Sequence, residues 1–196
     1  MTVTDAHAQP EHYADYLRML ARSQITSRLQ AKLDASDIVQ QTLLQAHRNQ
    51  HQYRGQTEAE WVGWLRVILA NVLATELRKF HTQARDPARE MSIEASLDHS
   101  ASRFDNLLAA DQTSPSERAG RSEQRLQLAR ALAQLPNDQR EVIERHHLMG
   151  WTIAEVAEQM QKSKPAVVGL LFRGLKRLRE CLSDQEGSTH ATKSSG

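Results

Sequence analysis

Between Lys162 and Arg179 the chain carries six basic residues and no acid. Read as a helix from Ser163 to about Cys181, this stretch divides by side. Val167, Leu171, Gly174 and Leu178 recur on one face, and Lys164, Val168, Gly169, Phe172, Arg173 and Lys176 fall on the other. Cations on one helix face suit phosphate contact, and the side chains between them would meet base edges in a DNA groove. A solvated face would explain a basic run by itself; the residues just before it decide. Thr152-Ile153-Ala154-Glu155 has the spacing of a capping box, with Trp151 placed to staple onto Val156. Gln161-Lys162-Ser163 is a turn-length break, Ser163 can cap the next helix, and Pro165 falls in its first turn, where a missing N–H does little harm. Two short helices joined by about three residues make a helix-turn-helix.

Other reactive side chains carry less. His47 and His51 are four residues apart and could share a metal, but they lack a third ligand nearby, and two surface histidines is the stronger reading. His146 and His147 stand at a predicted helix end, within reach of its final carbonyls. Cys181 follows a run of arginines but has no base to pair with it. No Gly-rich phosphate loop, G-x-S-x-G elbow or H-E-x-x-H sequence is present. The expectation is a binding protein rather than an enzyme, with no cofactor and no metal.

The elements that must hold these residues are helical. Apolar residues make up 39% of the 196, aromatics only 5%, and Gly and Pro are sparse, so the cores must be built mainly from Leu, Val, Ile and Ala. A single cysteine excludes an internal disulfide. The polar Met1–Pro10 stretch and the lack of a long apolar run predict neither a signal peptide nor a membrane span, and hence a cytoplasmic protein. Periodicity predicts helices over Tyr13–Leu29, from an Asp34 cap to about His47, over Glu58–Phe80, over Glu123–Leu135, and from Asn137 to a C′ glycine at Gly150. The predicted organisation is all-α, with two small helical domains. Residues 1–11 are a flexible start, 12–82 a first domain, 83–122 a linker, 123–182 the helix-turn-helix domain, and 183–196 a disordered tail.

Several of these segments resemble the sigma factors of bacterial RNA polymerase. Leu135-Pro136-Asn137-Asp138-Gln139-Arg140-Glu141-Val142-Ile143, Met149-Gly150-Trp151-Thr152-Ile153-Ala154-Glu155-Val156-Ala157 and Phe172-Arg173-Gly174-Leu175-Lys176-Arg177-Leu178-Arg179 are similar to the domain that binds the promoter −35 element. Ala35-Ser36-Asp37-Ile38-Val39-Gln40-Gln41-Thr42 resembles the polymerase-binding helix. Tyr53-Arg54-Gly55, Trp64-Leu65-Arg66-Val67-Ile68-Leu69-Ala70-Asn71 and Arg78 resemble the −10 region. Two domains in this order with no third between them resemble the extracytoplasmic-function group.

The resemblance implies a factor that directs core polymerase to promoters and helps melt the −10 element. Its partners would be promoter DNA, the polymerase clamp helices and flap, and, in some such systems, an anti-sigma factor. It also implies roles for residues. Asp37, Gln40 and Gln41 would face the clamp. Tyr53, Arg54, Trp61, Trp64, Asn71 and Arg78 would meet −10 DNA, an aromatic offering a stacking face and an arginine a phosphate contact. Ser163, Lys164, Val168, Gly169, Phe172, Arg173 and Lys176 would meet the −35 element. Core packing competes for Trp61 and is the stronger reading for Trp64. The recognition helix departs from the family in its apolar Ala166-Val167-Val168-Gly169-Leu170-Leu171 run, which leaves fewer polar groups for base readout and points toward DNA shape. The rival reading is a conventional helix-turn-helix regulator that does not bind polymerase.

Overall fold

The computed structural model describes residues 9–25, 33–80, 93–103 and 121–191. Every regular element among them is helical. The chain divides into two compact units, Met1–Ser102 and Arg103–Gly196.

In the first unit a 3-10 turn, Pro10–Tyr13, leads into α1, Ala14–Gln24. α1 buries Tyr16, Leu17, Met19, Leu20 and Ala21. It ends earlier than its composition predicts, because Ile25 turns extended at φ −87° and ψ 105° and is itself buried. The remainder of the predicted helix, to Leu29, lies outside the described residues.

α2, Ala35–Asn49, starts where predicted. Asp34 Oδ1 accepts from the Ser36 amide at 2.8 Å. Its inner face holds Ile38, Val39, Thr42 and Ala46, and the buried Thr42 hydroxyl donates to the Ile38 carbonyl at 2.8 Å. α3, Glu58–Phe80, begins with a capping box that sequence reading missed: the Glu60 amide donates to Thr57 Oγ1 at 3.2 Å, and the Thr57 amide to Glu60 Oε2 at 2.9 Å. Trp61, Leu65, Leu69 and Leu73 line its inner face. The 3-10 turn is pinned to α3 by Tyr13, whose hydroxyl donates to Glu58 Oε1 at 2.8 Å.

The predicted linker is partly structured. Residues 93–103 are helical, here α4, and bury Ile93, Leu97, Ser100 and Ala101. α4 is tied to the first unit by Arg66 Nε donating to Asp98 Oδ1 at 3.0 Å and by a Ser23–Ser100 hydroxyl bond of 3.3 Å. The turn-forming residues around it hid a short helix whose buried stripe has only three apolar members, Ile93, Leu97 and Ala101.

The second unit contains α5, Arg121–Gln134; α6, Asn137–Ile143; α7, Ile153–Gln159; and α8, Lys164–Ala191. α6 widens into a π-helical turn, Glu144–Leu148, before Gly150 at φ 75°. Val142, Val156, Ala157 and Val167 form a core, with Trp151, Ile153, Met160, Leu170 and Leu171 packed against it. α8 passes very close to α6 at Gly174. A Cβ there would lie 3.0 Å from Ile143 Cδ1 and 3.3 Å from the Gln139 carbonyl oxygen. α8 also runs to Ala191, well into the segment expected to be a disordered tail. Its helical hydrogen bonding continues past Cys181 without a breaker until Gly187, and the helix persists through that glycine.

Candidate nucleic-acid interface

The helix-turn-helix forms as the sequence dictates. Thr152 Oγ1 accepts from the Glu155 amide at 3.3 Å, and Glu155 Oε2 accepts from the Thr152 amide at 2.7 Å and its hydroxyl at 2.8 Å. These bonds hold the Glu155 carboxyl below the usual range. Trp151 packs on the core that contains Val156, beneath the Arg145 guanidinium, which stands 4.9 Å over its ring. The buried Arg145 also donates to Glu141 Oε1 at 2.9 Å. His146 Nδ1 lies 2.7 Å from the Trp151 carbonyl, so this histidine binds a loop carbonyl beyond the helix end. The neighbouring His147 is held below its ordinary pKa by burial and by His146.

The turn is a Schellman motif. The Lys162 amide donates to the Ala157 carbonyl at 2.9 Å and the Gln161 amide to Glu158 at 3.1 Å. Gln161 occupies the left-handed position, φ 53°, where glycine is usual. Sequence inspection finds the turn by length and misses its type for that reason. Lys162 Nζ ties the turn to Asp138 at 3.1 Å, and Ser163 Oγ caps α8 by accepting from the Ala166 amide at 3.3 Å.

Along α8 the buried side is Val167, Gly174 and Leu178, with Leu171 half-buried against the core. Ser163, Lys164, Val168, Phe172, Arg173 and Lys176 are exposed and Gly169 is half-buried. All seven predicted −35 positions are therefore reachable on one unit. Val168 is 51% exposed and Phe172 71%.

In the first unit, Tyr53, Trp61 and Trp64 form one aromatic cluster. Ring centroids are 4.9 Å apart for Tyr53–Trp61, 5.3 Å for Tyr53–Trp64 and 4.9 Å for Trp61–Trp64. Tyr53 folds back over its own loop, its hydroxyl donating to the Thr57 carbonyl at 3.3 Å. Gly55 makes this possible, since a Cβ there would sit 2.0 Å from the Tyr53 hydroxyl. Burial and the nearby Glu60 raise the Tyr53 pKa.

The structure separates the two tryptophans. Trp61 is 1% exposed and offers no face to a base; it is the floor of the cluster. Trp64, for which core packing was the stronger expectation, is only half-buried and keeps part of its surface. The two lie three residues apart on the same apolar stripe, so periodicity alone does not order them.

Arg54 is exposed, with Nη1 donating to the His51 carbonyl at 3.0 Å. Asn71 is exposed on α3, while Arg78 folds onto its own helix, Nε donating to the Ala74 carbonyl at 3.1 Å. On α2, Asp37, Gln40 and Gln41 are all exposed, opposite the buried Ile38–Thr42 stripe. His47 is paired with Glu11 rather than with His51. Among the described residues no group of three metal-ligating side chains gathers, and no helix is long and apolar enough to cross a membrane.

Parts of this chain match known proteins. Residues 125–178, spanning most of α5 through the predicted −35 face of α8, match the family model described as Sigma-70, region 4. The chain is 29% identical over 150 residues, 76% of this chain and 75% of the relative, to the ECF RNA polymerase sigma factor SigL of Mycobacterium tuberculosis, in strains Erdman, CDC 1551 and H37Rv. A solved structure of the sigma factor RpoE in complex with the anti-sigma factor NepR from Bartonella quintana aligns with 87% of this chain and 91% of that one, at 21% identity and a TM-score of 0.32. The helix-turn-helix of the second unit thus falls within a match to sigma-70 region 4, and the chain is similar over 150 residues to an extracytoplasmic-function sigma factor.

Proposed function

We propose that this chain directs RNA polymerase core to a set of promoters by using three separate surfaces. α8 presents Ser163, Lys164, Val168, Gly169, Phe172, Arg173 and Lys176 to the −35 element. The exposed Asp37, Gln40 and Gln41 of α2 meet the polymerase clamp helices, and the second unit meets the flap. The Tyr53–Trp64 cluster, with Arg54, Asn71 and Arg78, receives the −10 element as it melts. Trp61 supports that cluster from beneath. Residues 12–82 with α4 act as the polymerase and −10 domain, and residues 123–182 as the −35 domain. The activity is binding and strand opening, with no covalent catalysis.

The observation that carries this reading is the one-sided basic and apolar face of α8, held on a capped helix-turn-helix within the region 4 match. The similarity to SigL extends over 150 residues, far beyond the helix-turn-helix, and so favours a sigma factor over a conventional regulator. The test is run-off transcription by bacterial core polymerase on a promoter library, with and without the purified chain. Specific start sites that depend on the chain are expected. Binding to DNA without binding to core at micromolar concentration would leave only the regulator.

A further inference from the structure

Lys164, Val168, Phe172 and Lys176 follow one another at intervals of four residues, so they form a single row along α8. All four are exposed. The row spans about 18 Å at the helical rise. Its ends are ammonium groups and its centre is an isopropyl group beside a phenyl ring. On an ordinary solvated helix the middle of an exposed row is polar, and here 51% of Val168 and 71% of Phe172 face solvent. Neither residue contributes to the core of the unit. Arg173 lies beside the row, its Nη1 3.2 Å from where a Cβ on Gly169 would stand.

The charge on either side restricts what can cover the apolar centre. An apolar protein groove has no use for cations on both flanks, whereas a DNA groove has phosphates along both edges. The major groove carries one apolar group on its floor, the C5 methyl of thymine. Building on the −35 reading above, we propose that Val168 and Phe172 read thymines by contact with their methyl groups, while Lys164 and Lys176 anchor the row to phosphates. The apolar run in α8 is then itself a direct-readout device, and the scarcity of polar side chains does not force recognition through DNA shape alone.

Deoxyuridine tests this on the ligand, because it pairs as thymine does and lacks only the methyl. Duplexes are first selected from a random library by the full chain bound to core polymerase. Each thymine of the −35 half is then replaced singly by deoxyuridine. Loss of about fourfold in affinity at one or two positions is expected, the equivalent of one buried methyl. Val168→Ala or Phe172→Ala should abolish that sensitivity at one position each while weakening binding to the parent duplex. Both side chains are largely exposed, so neither truncation removes core; circular dichroism checks that the fold stays intact.

Tight, selective binding that no deoxyuridine substitution alters would overturn the methyl reading and leave the sigma reading standing. Equal losses in the wild type and both variants would also overturn it, by placing the methyl contact elsewhere. If Phe172→Ala instead weakened assembly with core polymerase, the patch would be a protein contact. Absence of both DNA selection and core binding would remove the sigma reading and this inference together.

Discussion

Arg173 stands on the exposed side of α8 next to Phe172, with its guanidinium lying back along the helix toward Gly169. A cation so placed contributes to DNA affinity through counterion release rather than base choice. Arg173→Ala is therefore expected to weaken binding uniformly across promoter sequences and to reduce the slope of log K against log salt by about 1. Fluorescence anisotropy across a salt series measures it, and an unchanged slope would remove Arg173 from the phosphate contacts. The two tryptophans of α3 make a second comparison. Trp61→Ala empties a sealed site and should cost about 3–5 kcal/mol of stability. Trp64→Ala should cost much less and instead impair promoter opening, read by permanganate reactivity of −10 thymines. A large stability loss at Trp64 with normal opening would make it a core residue.

The elements rest on end chemistry as much as on burial. In α7 the Thr152–Glu155 box is exposed, and Thr152→Ala should cost about 1 kcal/mol. The effect should also depend on pH. The Glu155 carboxyl is held below its ordinary 4.5 by bonds from the Thr152 amide and hydroxyl. A depressed carboxyl pKa gives stability that is present above the unfolded value and lost as pH falls through the folded one. The gap in melting temperature between wild type and Thr152→Ala should therefore narrow below about pH 4, by thermal denaturation followed in circular dichroism. A gap that held constant to pH 3 would show that the hydroxyl, not the carboxylate, carries the cap.

How far the sequence made these elements legible depended on whether each had a local signal. Asp34, Thr152, Ser163 and Gly150 announce their ends by residue type, and the structure places each in its expected role. Thr57-Glu58-Ala59-Glu60 has the same signal, but it follows directly on the Tyr53–Gly55 loop, where a threonine also suits a turn. The turn at Gln161 has no such signal, because its left-handed residue is neither Gly nor Asn. The π turn at Glu144–Leu148 adds one residue to a helix, which shifts periodicity without breaking it. α4 buries a stripe too short to stand out among turn-forming neighbours. Gly174 looked like an apolar position of α8. Only the folded backbone shows what the glycine does: a Cβ there would press on Ile143 and on the Gln139 backbone, so α6 would have to give way by a few tenths of an ångström.

At the scale of the whole molecule, the formal net charge is +1, so the chain as a whole exerts little long-range pull on DNA. Promoter affinity must come from the local charge of α8 and from being held near DNA by another body. Coupling two weak sites through one assembly raises effective concentration without any new contact. This places weight on α2. Replacing Asp37 and Gln40 together by Ala should weaken association with core polymerase while leaving the helical signal unchanged, since both are exposed. Promoter-specific transcription should fall with it, whereas binding of the isolated chain to −35 DNA should not. Sedimentation with core polymerase tests the first part, and unaltered assembly would move the clamp contact off this face.

The three tryptophans of the chain have a use of another kind. Trp61 is sealed, Trp64 is half-covered in the same cluster, and Trp151 sits under a guanidinium at the start of the helix-turn-helix. No other residue absorbs as far to the red, so excitation near 295 nm addresses the two units through these indoles alone. The protein is its own optical reporter. A nucleobase stacking on the first cluster would quench Trp64 and leave Trp151 lit, and loosening of the second unit would shift Trp151 emission to longer wavelength. With Trp61 and Trp64 changed to Phe, or Trp151 changed to Phe, one unlabelled chain mixed with DNA alone would report −10-strand capture and −35 docking separately.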